Sequence, residues 1–186
     1  MLANLCTQRV KRGDTMFDLE AVSAQWLGFT TEKMTAKYPV EHEPIRRHCQ
    51  MVGNTNPLYL EPGYVEKTPC PPTAIPIFAL PGRLPPDPKP RTTVLDIGLP
   101  VMGQGFTNMS REQEYLKPVY VGDHLAMQMR IVKLYQKPTR LDPDSLWIVT
   151  EDLITNQDDE LVCLVRNTLL NFRTDEEWSA TGVTKP

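Results

Sequence analysis

Over residues 125–136 apolar and polar positions alternate: Leu125, Met127, Met129, Ile131 and Lys133 share one parity, Ala126, Gln128, Arg130 and Val132 the other. Side chains of a strand point to opposite faces in turn, so the pattern predicts one strand of a half-buried antiparallel sheet, with Met127 and Met129 in the core. Residues 146–155 and 161–173 form a further predicted pair, joined by the polar turn Asn156-Gln157-Asp158-Asp159. Upstream, a long strand is expected over residues 104–120, a short one over 96–99, and a turn at Gly122-Asp123.

The first part of the chain has a different period. Phe17, Leu19, Val22, Trp26, Leu27 and Phe29 approximate helical spacing, with Asp14 and Thr15 available as caps. A second helix is expected from Glu43-Pro44, where proline suits the first turn, through Ile45, Cys49 and Val52 to a stop at Gly53. Residues 69–90 hold nine of the 18 prolines, which excludes a long regular helix there. Helices followed by a run of antiparallel strands make an α+β arrangement. One domain is expected over residues 1–173, with 174–186 a polar tail or linker, and 82–90 an irregular excursion. The edges of such a sheet favour pairing with another chain.

Composition narrows the chemistry. The 186 residues carry a formal charge of −3 and no basic run longer than Arg46-Arg47, so nothing supports a nucleic-acid surface. No stretch approaches the roughly 18 apolar residues of a membrane helix, and residues 1–10 lack the apolar core of a leader, so a cytoplasmic protein with no membrane contact is expected. Cys6, Cys49, Cys70 and Cys163 are scattered, without Cys-x-x-Cys or zinc spacing; free thiols and no metal are expected. His48 and Cys49 are adjacent, but neighbours along a helix face different ways, which argues against a nucleophile pair. His42 and His124 have no metal spacing and are expected to be structural or solvated.

One segment carries a functional signal. Gly53-Asn54-Thr55-Asn56-Pro57-Leu58-Tyr59-Leu60-Glu61 resembles the active-site loop of the MaoC-like hydratases and dehydratases, Gly-Asp-x-Asn-Pro-(Ile/Leu)-His-x-Asp, with Asn54 at the catalytic Asp position and Tyr59 at the catalytic His position. Pro71-Pro72-Thr73-Ala74-Ile75-Pro76 is similar to the family's Ala-Pro-Pro-Thr-Phe segment, with Cys70 at the Ala position. Arg111-Glu112-Gln113-Glu114-Tyr115-Leu116-Lys117-Pro118-Val119-Tyr120-Val121-Gly122-Asp123 is similar to its Glu-Tyr-x-(Lys/Arg)-Pro-Val-x-x-Gly-Asp strand and turn. The resemblance covers roughly residues 10–173 and is nearest the degenerate N-terminal hotdog of two-hotdog dehydratases. It implies a hotdog fold, an antiparallel sheet wrapped around a central helix, here short and proline-interrupted.

Adding water across an α,β-unsaturated thioester needs a group that takes a proton from water and one that protonates the α-carbon, both titrating near neutral pH. A carboxamide does not titrate, and a phenol ordinarily ionises near pH ~10. The resemblance therefore implies no catalytic residue in this loop, with Asn54 and Tyr59 as degenerate positions. It also implies substrate-binding roles for Asn56, Pro72, Thr73, Ile75, Ile77, Phe78 and Leu80, the last four as the wall of a widened acyl tunnel. The ligand implied is an acyl-CoA or acyl carrier protein thioester, with no cofactor, and the partner a catalytic MaoC-like hotdog subunit. A matching subtype is the larger subunit of a steroid side-chain enoyl-CoA hydratase. Two alternatives stay open: a homodimeric acyl-thioester binding module without catalysis, or an autonomous hydratase or thioesterase using Glu61, Glu112, Glu114 or Asp123.

Overall fold

The computed structural model describes residues 17–79 and 93–181. Five antiparallel strands form one sheet in the order β1-β3-β4-β5-β2. They are β1 (Met34–Thr35), β2 (Gly105–Tyr115), β3 (Ala126–Gln136), β4 (Leu146–Thr155) and β5 (Leu161–Phe172). The sheet packs against helices α1 (Leu19–Trp26), α2 (His42–Met51), α3 (Pro57–Leu60), α4 (Ile75–Ala79) and α5 (Val94–Ile97). The expected α+β hotdog is what the chain adopts.

The strand read from alternation and the pair expected around the turn at 156–159 are present, with one change of phase in the first. Ile131 pairs with Thr150 and Lys133 with Val149, so Val132 is a bulge that puts two residues opposite one. Beyond it Leu134 is buried and Lys133 exposed, which corrects the expectation that Lys133 shares the face of Ile131. Met127 and Met129 are both core residues, as expected.

Other differences have local causes. Residues 94–97 form helix α5 where a strand was expected over 96–99: the Thr93 hydroxyl donates to Asp96 (2.8 Å), and Gly98 at φ 80° ends the turn in a conformation that side chains disfavour. Strand β2 stops at Tyr115 rather than 120, because Leu116 N and Lys117 N both turn to Val162 O and Pro118 has no N–H to give. Residues 175–181, expected within a polar tail, form helix α6 (Asp175–Thr181). Thr174 and Glu177 make reciprocal capping bonds, Thr174 N to Glu177 Oε2 at 2.9 Å and Glu177 N to Thr174 Oγ1 at 3.3 Å, and Trp178 is buried. Helix α1 is shorter than expected and is capped by Asp18, whose side chain accepts from Ala21 N. The expected caps Asp14 and Thr15, together with Cys6, Leu80 and residues 82–90, lie outside the described residues.

The core falls into two clusters. One, under α2 and α4, contains Ile45, Ile75, Leu125, Met127, Ile154 and Val165. The other, under α1 and α5, contains Val22, Val94, Ile97, Met129, Ile131 and Ile148. Along β4 the two are separated by Thr150 and Asp152, and along β5 by Asn167, so the sheet face between them is polar. The other face of the sheet holds Glu151, buried between Arg130 and Arg166 at 2.6 Å each.

Candidate functional site

Helix α2 leads into the loop at 53–61 through backbone bonds that fix its shape. Gly53 at φ 67° and the bonds Gly53 N to Gln50 O (3.4 Å) and Asn54 N to Cys49 O (2.8 Å) close the helix end in a Schellman pattern. The Asn54 carboxamide then accepts from Asn56 N at 3.0 Å, and the Asn56 carboxamide accepts from Leu58 N at 3.0 Å, capping α3 with Pro57 in its first turn. Both side-chain oxygens are thus spent on conformation. Tyr59 is half-buried against the first core cluster, and its carbonyl oxygen lies 3.0 Å from His42 Nε2.

The loop borders a cavity of about 450 Å³ lined by Arg46, Cys49, Gln50, Gly53, Asn54, Thr55 and Leu60. Its charged group is committed elsewhere: Arg46 and Arg47 both bond Glu43, and their guanidinium groups hold that carboxyl down at about 2. Burial pushes the Cys49 thiol up, so a thiolate nucleophile is disfavoured there, and pushes Cys70 up to about 12. The Nε2 of His48 meets Thr73 Oγ1 at 2.9 Å, tying α2 to the 3-10 turn Pro72–Ala74 instead of facing the adjacent thiol. Among the described residues no His, Cys, Asp and Glu group is arranged to hold a metal.

A second cavity, of about 430 Å³, lies between the sheet and the residues of α4 and α5. Pro76, Ile77, Val94 and Leu95 form its upper side and Met127, Met129, Ile154, Val165 and Leu169 the apolar part of its floor. Thr93, Asn108, Arg111, Thr150, Asp152 and Asn167 supply the polar remainder.

The residues expected to bind substrate are therefore distributed. Ile77 borders the sheet cavity and is 51 % exposed. Ile75 is buried in the first core cluster and Phe78 packs against it. Pro72 and Thr73 are exposed on the 3-10 turn, and Asn56 caps α3. The four carboxylates of the autonomous alternative do not converge. Glu61 follows α3; Glu112 lies 3.9 Å from Arg166; Glu114 is exposed on β2; Asp123 accepts from Tyr120 N (2.8 Å) and Gln157 Nε2 (3.2 Å). Sequence reading missed the sheet cavity's Arg111, Asp152 and Asn167, which come together only through strand register.

Residues 25–165 match the family model of the FAS1-like dehydratase domain region. The chain belongs to that family. It is similar in structure to a chain of the ChsH1-ChsH2 complex from Mycobacterium tuberculosis, at 19% identity and a TM-score of 0.66 over 85% of this chain and 98% of that one. It is similar to the C-terminally truncated HadBC (3R-hydroxyacyl-ACP dehydratase) complex from the same organism, at 22% identity and a TM-score of 0.54 over 75% and 95% of the two chains. A MaoC-like dehydratase matches at 16% identity and a TM-score of 0.60, over 83% of this chain and 44% of that one. At these identities the likeness is one of fold. A comparison with curated proteins by sequence gives no match. Among the described residues no helix is long and apolar enough to cross a membrane.

Proposed function

We propose that this MaoC-like chain is the accessory, non-catalytic subunit of a heteromeric enoyl-CoA hydratase or 3-hydroxyacyl-thioester dehydratase. It shapes the acyl-binding tunnel for a partner hotdog that carries the catalytic Asp and His. The observation behind this reading is the loop at 53–61, whose turn and helix cap are held by Asn54 and Asn56 while neither position 54 nor position 59 offers a carboxylate or an imidazole. General acid and base groups contribute roughly 10²–10⁴-fold each, so a chain without them has a binding role before a chemical one.

In this reading the partner's base takes a proton from water as the oxygen adds to the β-carbon, and the partner's acid delivers a proton to the α-carbon. The thioester oxygen carries the developing negative charge and is met by the partner's hydrogen-bond donors. This chain contributes walls and an interface. Strand β2 supports the interface: it spans 11 residues, is mostly exposed, and pairs on one side only among the described residues, an edge suited to a second chain. That two of the structural neighbours are two-component complexes fits the same arrangement. The finer form of the proposal is a cytoplasmic, acyl-CoA-linked role in lipid breakdown, with an acyl group as wide as a steroid ring system bearing its side chain.

The test is hydration of trans-2-enoyl-CoA substrates of differing bulk by this chain, by a catalytic MaoC-like hotdog from the same host, and by their mixture. Activity confined to the mixture, or raised there at least about tenfold for bulky substrates, is the expected result. Full activity of the partner alone on every substrate sinks the accessory role; activity of this chain alone returns the chemistry to residues outside positions 54 and 59. The double substitution Asn54→Asp with Tyr59→His is expected to give weak hydration of its own, since a carboxylate at position 54 accepts the same bond from Asn56 N. A folded double variant that binds ligand but shows no turnover means that the surrounding geometry has drifted as well.

A further inference from the structure

The polar strip between the two core clusters has bonding capacity that the fold does not use. Thr150, Asn167 and Arg111 lie side by side across β4, β5 and β2, since Thr150 pairs with Asn167 and Asn167 with Arg111. Asp152, two residues along β4 from Thr150, shares the face, and its Oδ2 accepts from Asn167 Nδ2 at 3.0 Å. All four line the sheet cavity. Among the described residues that is the single hydrogen bond made by the Asp152 carboxylate, which has lone pairs for about four. The Arg111 guanidinium, with five N–H donors, makes no hydrogen bond or ion pair among the described residues, although its charge is felt at Asp152.

We propose that this strip is a subsite for an uncharged oxygen, a hydroxyl or a ketone, carried on the apolar acyl group that fills the cavity. The inference rests on the reading of this chain as an acyl-thioester-binding subunit and adds the class of acyl group it selects. Asp152 and Arg111 offer opposite formal charges on one floor, so a carboxylate or an ammonium on the ligand would meet repulsion from one as it met attraction from the other. A hydroxyl satisfies both: it donates to Asp152 and accepts from Arg111. A ketone accepts from Arg111. Burial in the cavity raises the Asp152 carboxyl, against the lowering effects of the Asn167 hydrogen bond and the Arg111 charge, so the carboxylate is under-supported there and a hydrogen bond donated by a ligand hydroxyl would stabilise it.

The remainder of the cavity suits carbon. Apart from Thr93 and Asn108 its walls are Met, Ile, Val, Leu and Pro side chains, and its volume of about 430 Å³ falls within the ~300–1,000 Å³ typical of small-molecule sites. Ile77 and Leu95, on the helical side, are 51 % and 68 % exposed, apolar surface that a bound acyl group would cover. Unfilled cavities that stay dry are apolar; a plain hydrocarbon lying over Asp152 and Arg111 would strip water from them and return no bond.

The test is calorimetric titration of the full chain, alone and assembled with the hotdog partner that reconstitutes hydration. The ligands are dodecanoyl-CoA, dodecanoyl-CoAs bearing one hydroxyl or one ketone at successive carbons, and the terminal-carboxylate analogue. At least one hydroxyl or ketone ligand is expected to bind about tenfold more tightly than dodecanoyl-CoA. In Asn167→Leu and Arg111→Met that ratio is expected to fall to near one. Dodecanoyl-CoA binding as tightly as every oxygenated ligand, or the carboxylate binding tightest, overturns the subsite while leaving the accessory-subunit reading intact. Binding of no thioester in either form of the protein overturns both.

Discussion

Asp142, buried just before β4, and Asp152, half-buried within it, sit in surroundings that treat the charge in opposite ways. Asp142 is fully buried and saturated: Oδ2 accepts from Arg173 N (2.9 Å) and Nε (2.7 Å), Oδ1 from Arg173 Nη2 (2.6 Å) and Asp144 N (2.9 Å). The same guanidinium reaches Asp144 at 2.6 Å and lies 3.9 Å from the ring centre of Trp178, so the corner binds the β5 terminus, the approach to β4 and α6 together. Burial works to raise the Asp142 carboxyl, but the Arg173 and backbone hydrogen bonds prevail and hold it below the usual range. At Asp152 burial prevails and the carboxyl is raised. The first carboxylate is part of the frame, and the second faces a cavity with one hydrogen bond, from Asn167, and acceptor capacity to spare.

The sharpest way to break that contrast is Asp142→Ala. It strands the buried part of Arg173 and leaves the N–H groups of Arg173 and Asp144 without their acceptor, a loss of about 3–5 kcal/mol for a broken buried pair. Urea denaturation at pH 7 measures it, and a loss below about 1 kcal/mol would show that the corner is not a structural tie. The pH dependence has a definite sign. A carboxyl depressed in the folded state contributes stability that is complete above its unfolded value of about 3.9 and is lost as pH falls through the folded value. Acid sensitivity at the low end should therefore be reduced in the variant.

The same contrast explains what the sequence made legible. Strand β3 is visible because alternation is a local property, β4 and β5 because the polar turn at 156–159 parts them, and α2 because Pro44 and Gly53 mark its ends. The bulge at Val132 was hidden, since one inserted residue changes the phase without changing composition. Helix α5 was misread because four residues hold too little pattern to tell a period of 2 from one of 3.6. Helix α6 does carry a signal, the Thr174-x-x-Glu177 capping box, but its apolar anchor, the buried Trp178, sets no helical period. The loop at 53–61 was legible as a contiguous motif. Arg111, Asp152 and Asn167 were not, because they sit on three strands and only the register Arg111↔Asn167↔Thr150 makes them neighbours.

Asp152→Asn is expected to have the smallest effect on stability and the most telling one. The substituted carboxamide still accepts from Asn167 Nδ2, so no buried donor is orphaned, and the change at pH 7 should be under about 1 kcal/mol, in the stabilising direction. The reason lies in proton binding. A carboxyl whose pKa is raised on folding binds more protons in the native state than in the unfolded one across the window between the two values, so its stability contribution is complete below about 3.9 and is lost as pH rises through the folded value. Wild type should lose stability across that window relative to the variant, the reverse of the Asp142 trend. Paired denaturation curves from about pH 3 to pH 8 isolate this one group, because every other titrating residue cancels in the difference. Superimposable pH profiles would mean that Asp152 is solvated and paired well enough to ionise freely, and the cavity floor would then be as closed electrostatically as the Arg173 corner. A gap that opens with rising pH means that the folded chain keeps a carboxyl in a setting that disfavours its charge, a cost that a ligand hydrogen bond is placed to offset.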